Sequence, residues 1–583
     1  MGIQLNGIGV SKGIALGKAH ILHRDDIEVV KEELPAHKVN AEVQRYQRAI
    51  RDAKHQLQSI GDSIPETAPT EVGEFIATHL LMLEDAMFSE APVRIIREQA
   101  CNAEWALRQQ LDSIIRVFES MEDDYLKTRV DDINHIAQLI LRTLTKNNNP
   151  LIQTPPEIDH WQGDIIIADD LSPADTVLLQ HMGIAGFVTE SGGQLSHTAI
   201  LARSLGIPAI VGVHQARRYV ADGERLIIDG ELGLTLGQAT RQETGHFLKK
   251  QRRFLSKRRK LKLLIETPCI TACGEPINLQ ANIDSENDID AMHQTGLSGV
   301  GLYRTEFLYL NREDVPDEET HYTVYRQLIR KLAGAPLTIR TVDLGADKLN
   351  KHLAPDLIAH HNPALGLRGI RYCLHNPRLI IPQLRAILRA ACHGPVQILL
   401  PMITHVSEVH ELKNLIESVK SELKGENIAF KEDVRLGGMI EVPSAALTVQ
   451  HLAAHLDFLS IGTNDLIQYT LAVDRTDDTV DYLFDPLSPA VLTLIKRTID
   501  TGKKYNIPVS MCGEMAGNPR YTRLLLGLGL RAFSTPPRAS LEIKKVILDT
   551  SLEDLEFLTQ AILEEGSSTA RTVLINSLNN LSE

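Results

Sequence analysis

Apolar side chains recur at Val43, Tyr46, Ile50, Ala53, Leu57 and Ile60, in steps of three and four. That is the period of a helix burying one face. The spacing continues, with interruptions, through Phe75, Ile76, Leu80, Leu83, Ile114, Phe118 and the stretch 136–141. Residues 36–147 are therefore expected to be all-helical. The flanking rhythm differs. Gly7 to Leu22 is Gly-rich with short β-branched pieces and reads as one or two strands with turns. After Asn147-Asn148-Asn149-Pro150, strand-like runs return at 164–169, 186–189, 209–211 and 225–229. The simplest assembly is an α/β domain made from 1–30 and 150–237, with a helical subdomain, 31–149, inserted into it.

Residues 238–265 carry Lys249, Lys250, Arg252, Arg253, Lys257, Arg258, Arg259, Lys260 and Lys262. A basic run can mark a nucleic-acid or membrane patch. Phe247, Phe254, Leu255 and Leu261 interrupt this one, which favours a solvated linker helix. From Ile277 onward, short apolar runs alternate with helical stretches. They lie at 277–282, 299–304, 337–343, 396–401, 435–441, 457–465, 508–512 and 531–534. About eight strand–helix units suit a (β/α)8 TIM-type barrel, here residues 266–583, with its chemistry at the C-terminal ends of the strands. The expected class is a multidomain α/β protein.

Composition narrows the function. The 583 residues hold 61 Lys+Arg against 75 Asp+Glu, a net charge of −14. An acidic total argues against a nucleic-acid binder, whose affinity depends on neutralising phosphates. No apolar run approaches the roughly 20 residues of a membrane helix. Met1 to Asn6 has neither the basic region of a secretory leader nor a myristoylation pattern. The six cysteines follow no disulfide framework and read as reduced thiols, so a cytoplasmic protein is expected.

Two groups of residues carry candidate chemistry. In Ser191-Gly-Gly-Gln-Leu-Ser-His197, two glycines permit a tight turn, and Ser196-His197 falls where an apolar-periodic helix begins. Unpaired N–H groups there favour a phosphoryl group, and a neutral imidazole is a competent nucleophile near pH 7. An ordinary first-turn helix residue is the alternative. At the barrel strand ends, Arg304, Arg340 and Arg475 can clamp a small polyanion through bidentate guanidinium contacts. Glu441 and Asp465 offer the hard oxygens that Mg²⁺ takes from one or two carboxylates plus a phosphate. Cys512 is either a proton donor or a small buried residue. Three patterns are set aside. Gly13 to Lys18 is too short for a phosphate-binding loop, His451/His455 lacks the glutamate of a metalloprotease helix, and Cys269/Cys273 is too little for zinc.

The run from Gly192 through His197 to Gly212 resembles the phosphohistidine signature of enzymes that use phosphoenolpyruvate (PEP). Asp457 to Arg475 resembles their second signature, in the PEP-binding barrel. The order of parts is similar to the enzyme I family of the bacterial phosphoenolpyruvate:sugar phosphotransferase system, the PEP–protein phosphotransferases.

That resemblance implies that PEP phosphorylates His197 on Nε2, releasing pyruvate, and that the phosphoryl group passes to a histidine of the phosphocarrier protein HPr. It implies that Arg304, Arg340, Arg475 and Asn464 hold PEP and that Arg368 lies near its phosphate. Glu441 and Asp465 would ligand Mg²⁺, with Asp465 also bordering PEP. Cys512 would protonate the enolate carbon, and Thr176 would hydrogen-bond the histidine. HPr would dock on the helical subdomain, where Glu71, Glu74, Glu84 and Asp85 suit a basic partner. The barrel would form a homodimer. His197 and the arginines fall in different domains, so the α/β domain is expected to swing. Leu367 stands where the family commonly has an aromatic residue, and Ala346 where glycine is frequent. The alternatives are a pyruvate-phosphate dikinase or PEP synthase relative, an enzyme I of nitrogen regulation, and a non-catalytic PEP sensor.

Overall fold

The computed structural model describes all residues except 1–2, 23–28, 64–69, 120–123, 147–160, 172–174, 177–178, 180–181, 194–197, 200–201, 204–205, 310–313, 345–363, 475–479 and 582–583. The chain forms two compact units, Met1–Lys257 and Arg258–Glu583.

In the first unit, eight strands form one sheet. They are β1 (Ile3–Asn6), β2 (Ile8–Ser11), β3 (Ile14–Ile21), β4 (Ile165–Ala168), β5 (Gly186–Thr189), β6 (Ala209–Val211), β7 (Arg225–Asp229) and β8 (Leu234–Gly237), in the order β1-β8-β7-β3-β4-β5-β6-β2. The N-terminal strands thus share a sheet with strands more than a hundred residues later. β3 to β6 pair in parallel, and the outer pairs are antiparallel. The central run Ile165-Ile-Ile-Ala is buried at every position. Its side chains alternate between two cores: Ile166 joins Phe187, Ala199 and Val211 on one face, and Ile165 and Ile167 join Val188, Ile210 and Ile228 on the other. A period of two buried on both faces is the pattern of a covered parallel sheet.

The Gly-rich opening has a packing cause. A Cβ on Gly230 would lie 2.0 Å from the Ser11 carbonyl oxygen, and one on Gly9 would lie 2.4 Å from that of Gly230. Only hydrogen side chains let these backbones cross. The opening stretch holds two strands, as expected, while β1 before it and β8 after β7 escaped the pattern because each mixes apolar with polar or glycine positions over only four residues.

Between β3 and β4 the described residues form the α-helices α1 (Val39–Ser63), α2 (Thr70–Glu84), α3 (Ala86–Ser89), α4 (Ala91–Gln99), α5 (Ala103–Glu119) and α6 (Asp124–Lys146). Their core contains Val43, Tyr46, Ala53, Leu57, Leu107 and Ile140. Arg45 ties α1 to α5 by bonding Glu42 at 2.6 Å and Glu104 at 2.5 Å. The basic run forms the helix Arg241–Lys262. Its first half is anchored to the sheet: Phe247 packs with Ile14 and Ile227, Gln251 donates to the Ile14 carbonyl at 2.8 Å, and Lys250 pairs with buried Asp229 at 2.5 Å.

The second unit is a closed barrel of eight parallel strands. They are β9 (Asn278–Ile283), β10 (Val300–Tyr303), β11 (Leu337–Arg340), β12 (Val396–Leu400), β13 (Arg435–Ile440), β14 (Phe458–Ile461), β15 (Val509–Met511) and β16 (Ala532–Thr535), with β16 pairing back to β9. All eight expected strands are present. The run 457–465 splits, however, into β14 and the start of the helix Thr463–Leu471. Inside the barrel, Leu302, Leu399, Met439, Phe458 and Cys512 form a buried layer. Among the described residues, no helix is long and apolar enough to cross a membrane.

Candidate functional site at the barrel mouth

The C-terminal strand ends bring the expected residues to one mouth. Arg304 follows β10, Arg340 ends β11, Glu441 follows β13, Asp465 lies in the first turn after β14, and Cys512 follows β15. Arg368 reaches them from the connection after β11. Gly369, at φ +57°, turns the chain there, and a Cβ on it would lie 2.9 Å from Met402.

Each guanidinium is held by acids. Arg304 bonds Asp284 at 3.1 Å, and Arg340 bonds Glu306 at 2.9 Å with Asp343 at 3.6 Å. Arg368 forms a fork with Asp343, Nε at 3.1 Å and Nη2 at 3.0 Å, and lies 3.4 Å from both Asp465 oxygens. Burial works against both the Arg340 and Arg368 charges. The facing carboxylates outweigh it, and both guanidinium pKa values are raised. These cations keep their charge and, pinned from several sides, need no reorganisation to meet an anion. Among the described residues, the buried Nε of Arg340 has no hydrogen-bond partner. A buried orphan donor is costly, and an oxyanion at the mouth would relieve it.

Glu441 is 1% exposed, and its Oε1 accepts the Met402 N–H at 2.6 Å. Burial, then Asp465 and Asp343, push its carboxyl pKa up to about 8, against the pull of Arg340. Among the described residues, Arg304, Arg340 and Arg368 meet the acids Asp284, Glu306, Asp343, Glu441 and Asp465. The Glu441 and Asp465 oxygens are hard donors of the kind Mg²⁺ takes. Among the described residues, no three His, Cys, Asp or Glu side chains form a metal cage by themselves.

Cys512 is 3% exposed and lies in the apolar layer. Its Sγ is 3.3 Å from Ser460 Oγ, and its carbonyl accepts from the Asn282 amide at 2.9 Å. Burial pushes the thiol pKa up, although Ser460, Arg340 and Arg304 pull it down. The group therefore stays protonated. A Cβ on Gly513 would lie 1.9 Å from Thr463 Oγ1, so glycine alone lets the cysteine turn pack on the start of the Thr463–Leu471 helix. Asn464 is turned toward Glu514, exchanging hydrogen bonds of 2.9 Å each way. Arg475 lies outside the described residues.

Several participants escaped the sequence reading. Asp343 ends the run 337–343, three residues after Arg340, and Glu306 lies just past the run 299–304, two residues after Arg304. Their spacing was the available signal. Gln383 gave none. From the helix Pro377–Ala390 its Oε1 accepts the Val342 N–H at 3.0 Å, and its Nε2 donates to Thr305 Oγ1 at 3.1 Å and Tyr325 OH at 3.0 Å. Thr305 in turn donates to the Arg340 carbonyl at 2.9 Å. One buried amide thus spans the loops carrying Arg304 and Arg340.

In the first unit His197 lies outside the described residues. Thr176 is fully buried. Thr198, the residue after the histidine, donates to the Leu171 carbonyl at 2.6 Å. Arg217 links Asp169 after β4 to Glu190 after β5, at 3.1 and 2.9 Å. Of the acidic residues expected to meet a partner, Glu84 pairs with Lys54, and Asp85 caps α3 by accepting the Met87 N–H at 2.8 Å. The Glu71 and Glu74 side chains lie outside what is described.

Comparison with known proteins shows the class to which this barrel and sheet belong, the PEP-utilising enzymes. Three family profiles match accordingly: the N-terminal domain over residues 6–129, the mobile domain over 160–233 and the PEP-binding domain over 258–552. The phosphoenolpyruvate-protein phosphotransferase of Cupriavidus necator is 41% identical over 97% of both chains. Those of Staphylococcus carnosus and Haemophilus influenzae are 35% and 36% identical, covering 97% and 99% of this chain and 98% and 100% of theirs. The chain belongs to the phosphoenolpyruvate-protein phosphotransferase family.

Proposed function

We propose that this enzyme moves the phosphoryl group of PEP onto Nε2 of its own His197, releasing pyruvate, and then onto a histidine of the phosphocarrier protein HPr, the entry step of phosphotransferase-system sugar uptake. The observation that carries the reading is the convergence of Arg304, Arg340, Arg368, Glu441, Asp465 and Cys512 on one mouth. Phosphoryl transfer asks a protein chiefly for positioning and charge neutralisation, and fixed guanidinium groups supply both.

In this reading Arg304, Arg340 and Arg368, joined by Arg475 and Asn464, hold the carboxylate and phosphate of PEP. Glu441 and Asp465 hold Mg²⁺, which when bound draws charge from the phosphate and from the departing enolate oxygen. His197 Nε2 forms the new bond to phosphorus as the bond from phosphorus to the enolate oxygen breaks. The enolate carbon takes the Cys512 proton, giving pyruvate, and the thiolate recovers a proton from solvent. Thr176 positions the imidazole. Because His197 belongs to the first unit and the arginines to the second, the histidine travels between PEP and the carrier. The same reading includes HPr docking on the helical subdomain 31–149, a homodimer formed through the barrel, and work in the cytoplasm.

The test is incubation with phosphate-labelled PEP and Mg²⁺, followed by mapping of acid-labile label. The label is expected on His197 and, once HPr is added, on the carrier. Label elsewhere, or a requirement for ATP in place of PEP, would overturn the reading.

A further inference from the structure

At the opposite end of the barrel, where the strands begin, a cavity of about 560 Å³ lies beside the start of β9. Its walls include the segment 265–269, Asn278, the turn Gly296 to Ser298, and Lys544 of the helix Pro537–Leu548. All belong to the second unit, and none takes part in the phosphotransfer described above.

Lys544 is 3% exposed. Its ammonium donates to the Ile265 carbonyl oxygen at 2.9 Å. That carbonyl is let in by Gly296, at φ +65°, where a Cβ would sit 2.1 Å from it. An ammonium carries three N–H donors, and burying one without a counter-charge is unfavourable. The titratable group acting on Lys544 is the Cys269 thiol in the same wall; burial lowers the lysine pKa and raises that of the cysteine. The acid of the wall, Glu266, is exposed. A staple between Ile265 and the helix would need only a neutral donor and no adjoining space. A buried cation beside an open cavity whose partly apolar wall also holds Thr267, Asn278, His293 and Ser298 has the makings of an anion site.

We propose that this cavity binds a small oxyanion, a phosphate or carboxylate group, with the Lys544 ammonium as its counter-charge. Cys269, half-buried in the same wall, is the reporter. The rate at which N-ethylmaleimide modifies it in the full-length protein is followed by peptide mapping, with inorganic phosphate or acetate added at constant ionic strength. Exposed Cys392 serves as the control. A charge-assisted contact predicts about tenfold slower modification of Cys269 at saturation, with Cys392 unchanged. Lys544→Met is expected to abolish the protection, and Lys544→Arg to retain it. Protection by phosphate, acetate or both supports the site and identifies the accepted anion. Absence of protection by either anion in the wild type, or equal protection in a folded Lys544→Met protein, overturns it. The wild-type titration alone decides the matter if that variant does not fold.

Discussion

The histidine-bearing unit and the barrel mouth are built on opposite plans. The first carries its proposed nucleophile, His197, within one contiguous run of sequence, Gly192 to Gly212, and among its described residues Arg217 ties Asp169 after β4 to Glu190 after β5. The barrel assembles its site from residues spread between Asn282 and Glu514, each fixed by partners from another strand or helix. A nucleophile that serves two partners needs a firm support and freedom to reach. Recognition of a polyanion needs several charges at fixed separations, which neighbouring parallel strands set.

The difference can be tested by damaging each plan in turn. His197→Ala is expected to abolish labelling by PEP while PEP binding, followed by calorimetry, survives. Loss of both would mean that the two sites are not separable. Cys512→Ala is expected to slow pyruvate release by on the order of 10²–10⁴-fold, with PEP affinity nearly unchanged. Equal losses in both quantities would remove the proton-donor role. Arg340→Gln takes a fixed cation from the mouth and is expected to cost on the order of 10²–10³-fold in kcat/KM. Glu306 and Asp343 would then face each other without their shared cation, so unfolding midpoints should be measured alongside.

Gln383→Leu tests whether fixed separation matters by itself, because this amide touches the loops and not the substrate. A loss of roughly tenfold or more in kcat/KM is expected. About 1–3 kcal/mol of stability is expected to go with it, since Thr305 and Tyr325 lose a buried partner. A stability change without a kinetic one would make Gln383 structural only. The smallest effect concerns pH. Burial raises the Cys512 thiol pKa, whereas the Thr271 hydroxyl helps lower that of exposed Cys273. As pH rises, Cys273 is expected to become reactive toward iodoacetamide before Cys512. The opposite order would mean that the mouth does not keep its proton donor protonated.

Much of the fold was legible because burial imposes a period. Val43, Tyr46, Ala53 and Leu57 announced a helix, and Ile165 to Ala168 a central strand, before any contact was known. β1 and β8 were not legible, since neither Ile3–Asn6 nor Leu234–Gly237 carries the continuous apolar run that marked Ile165–Ala168. Gly462 and Thr463 looked like strand because the apolar run continued, yet hydrogen bonding there had already turned helical. In the site, the residue types at the strand ends were readable, but their partners were not. Nothing near Gln383 in the chain hints at Thr305 or Val342.

By itself, the sequence determined the order of elements, the class of chemistry at each strand end and the family signatures. All three are local, set within a few residues by side-chain period and charge. Tertiary structure alone decided which acid holds which arginine, why Glu441 resists ionisation, and that Lys544 lies buried beside a cavity. Those are properties of distance and dielectric, and both exist only after distant segments have packed together.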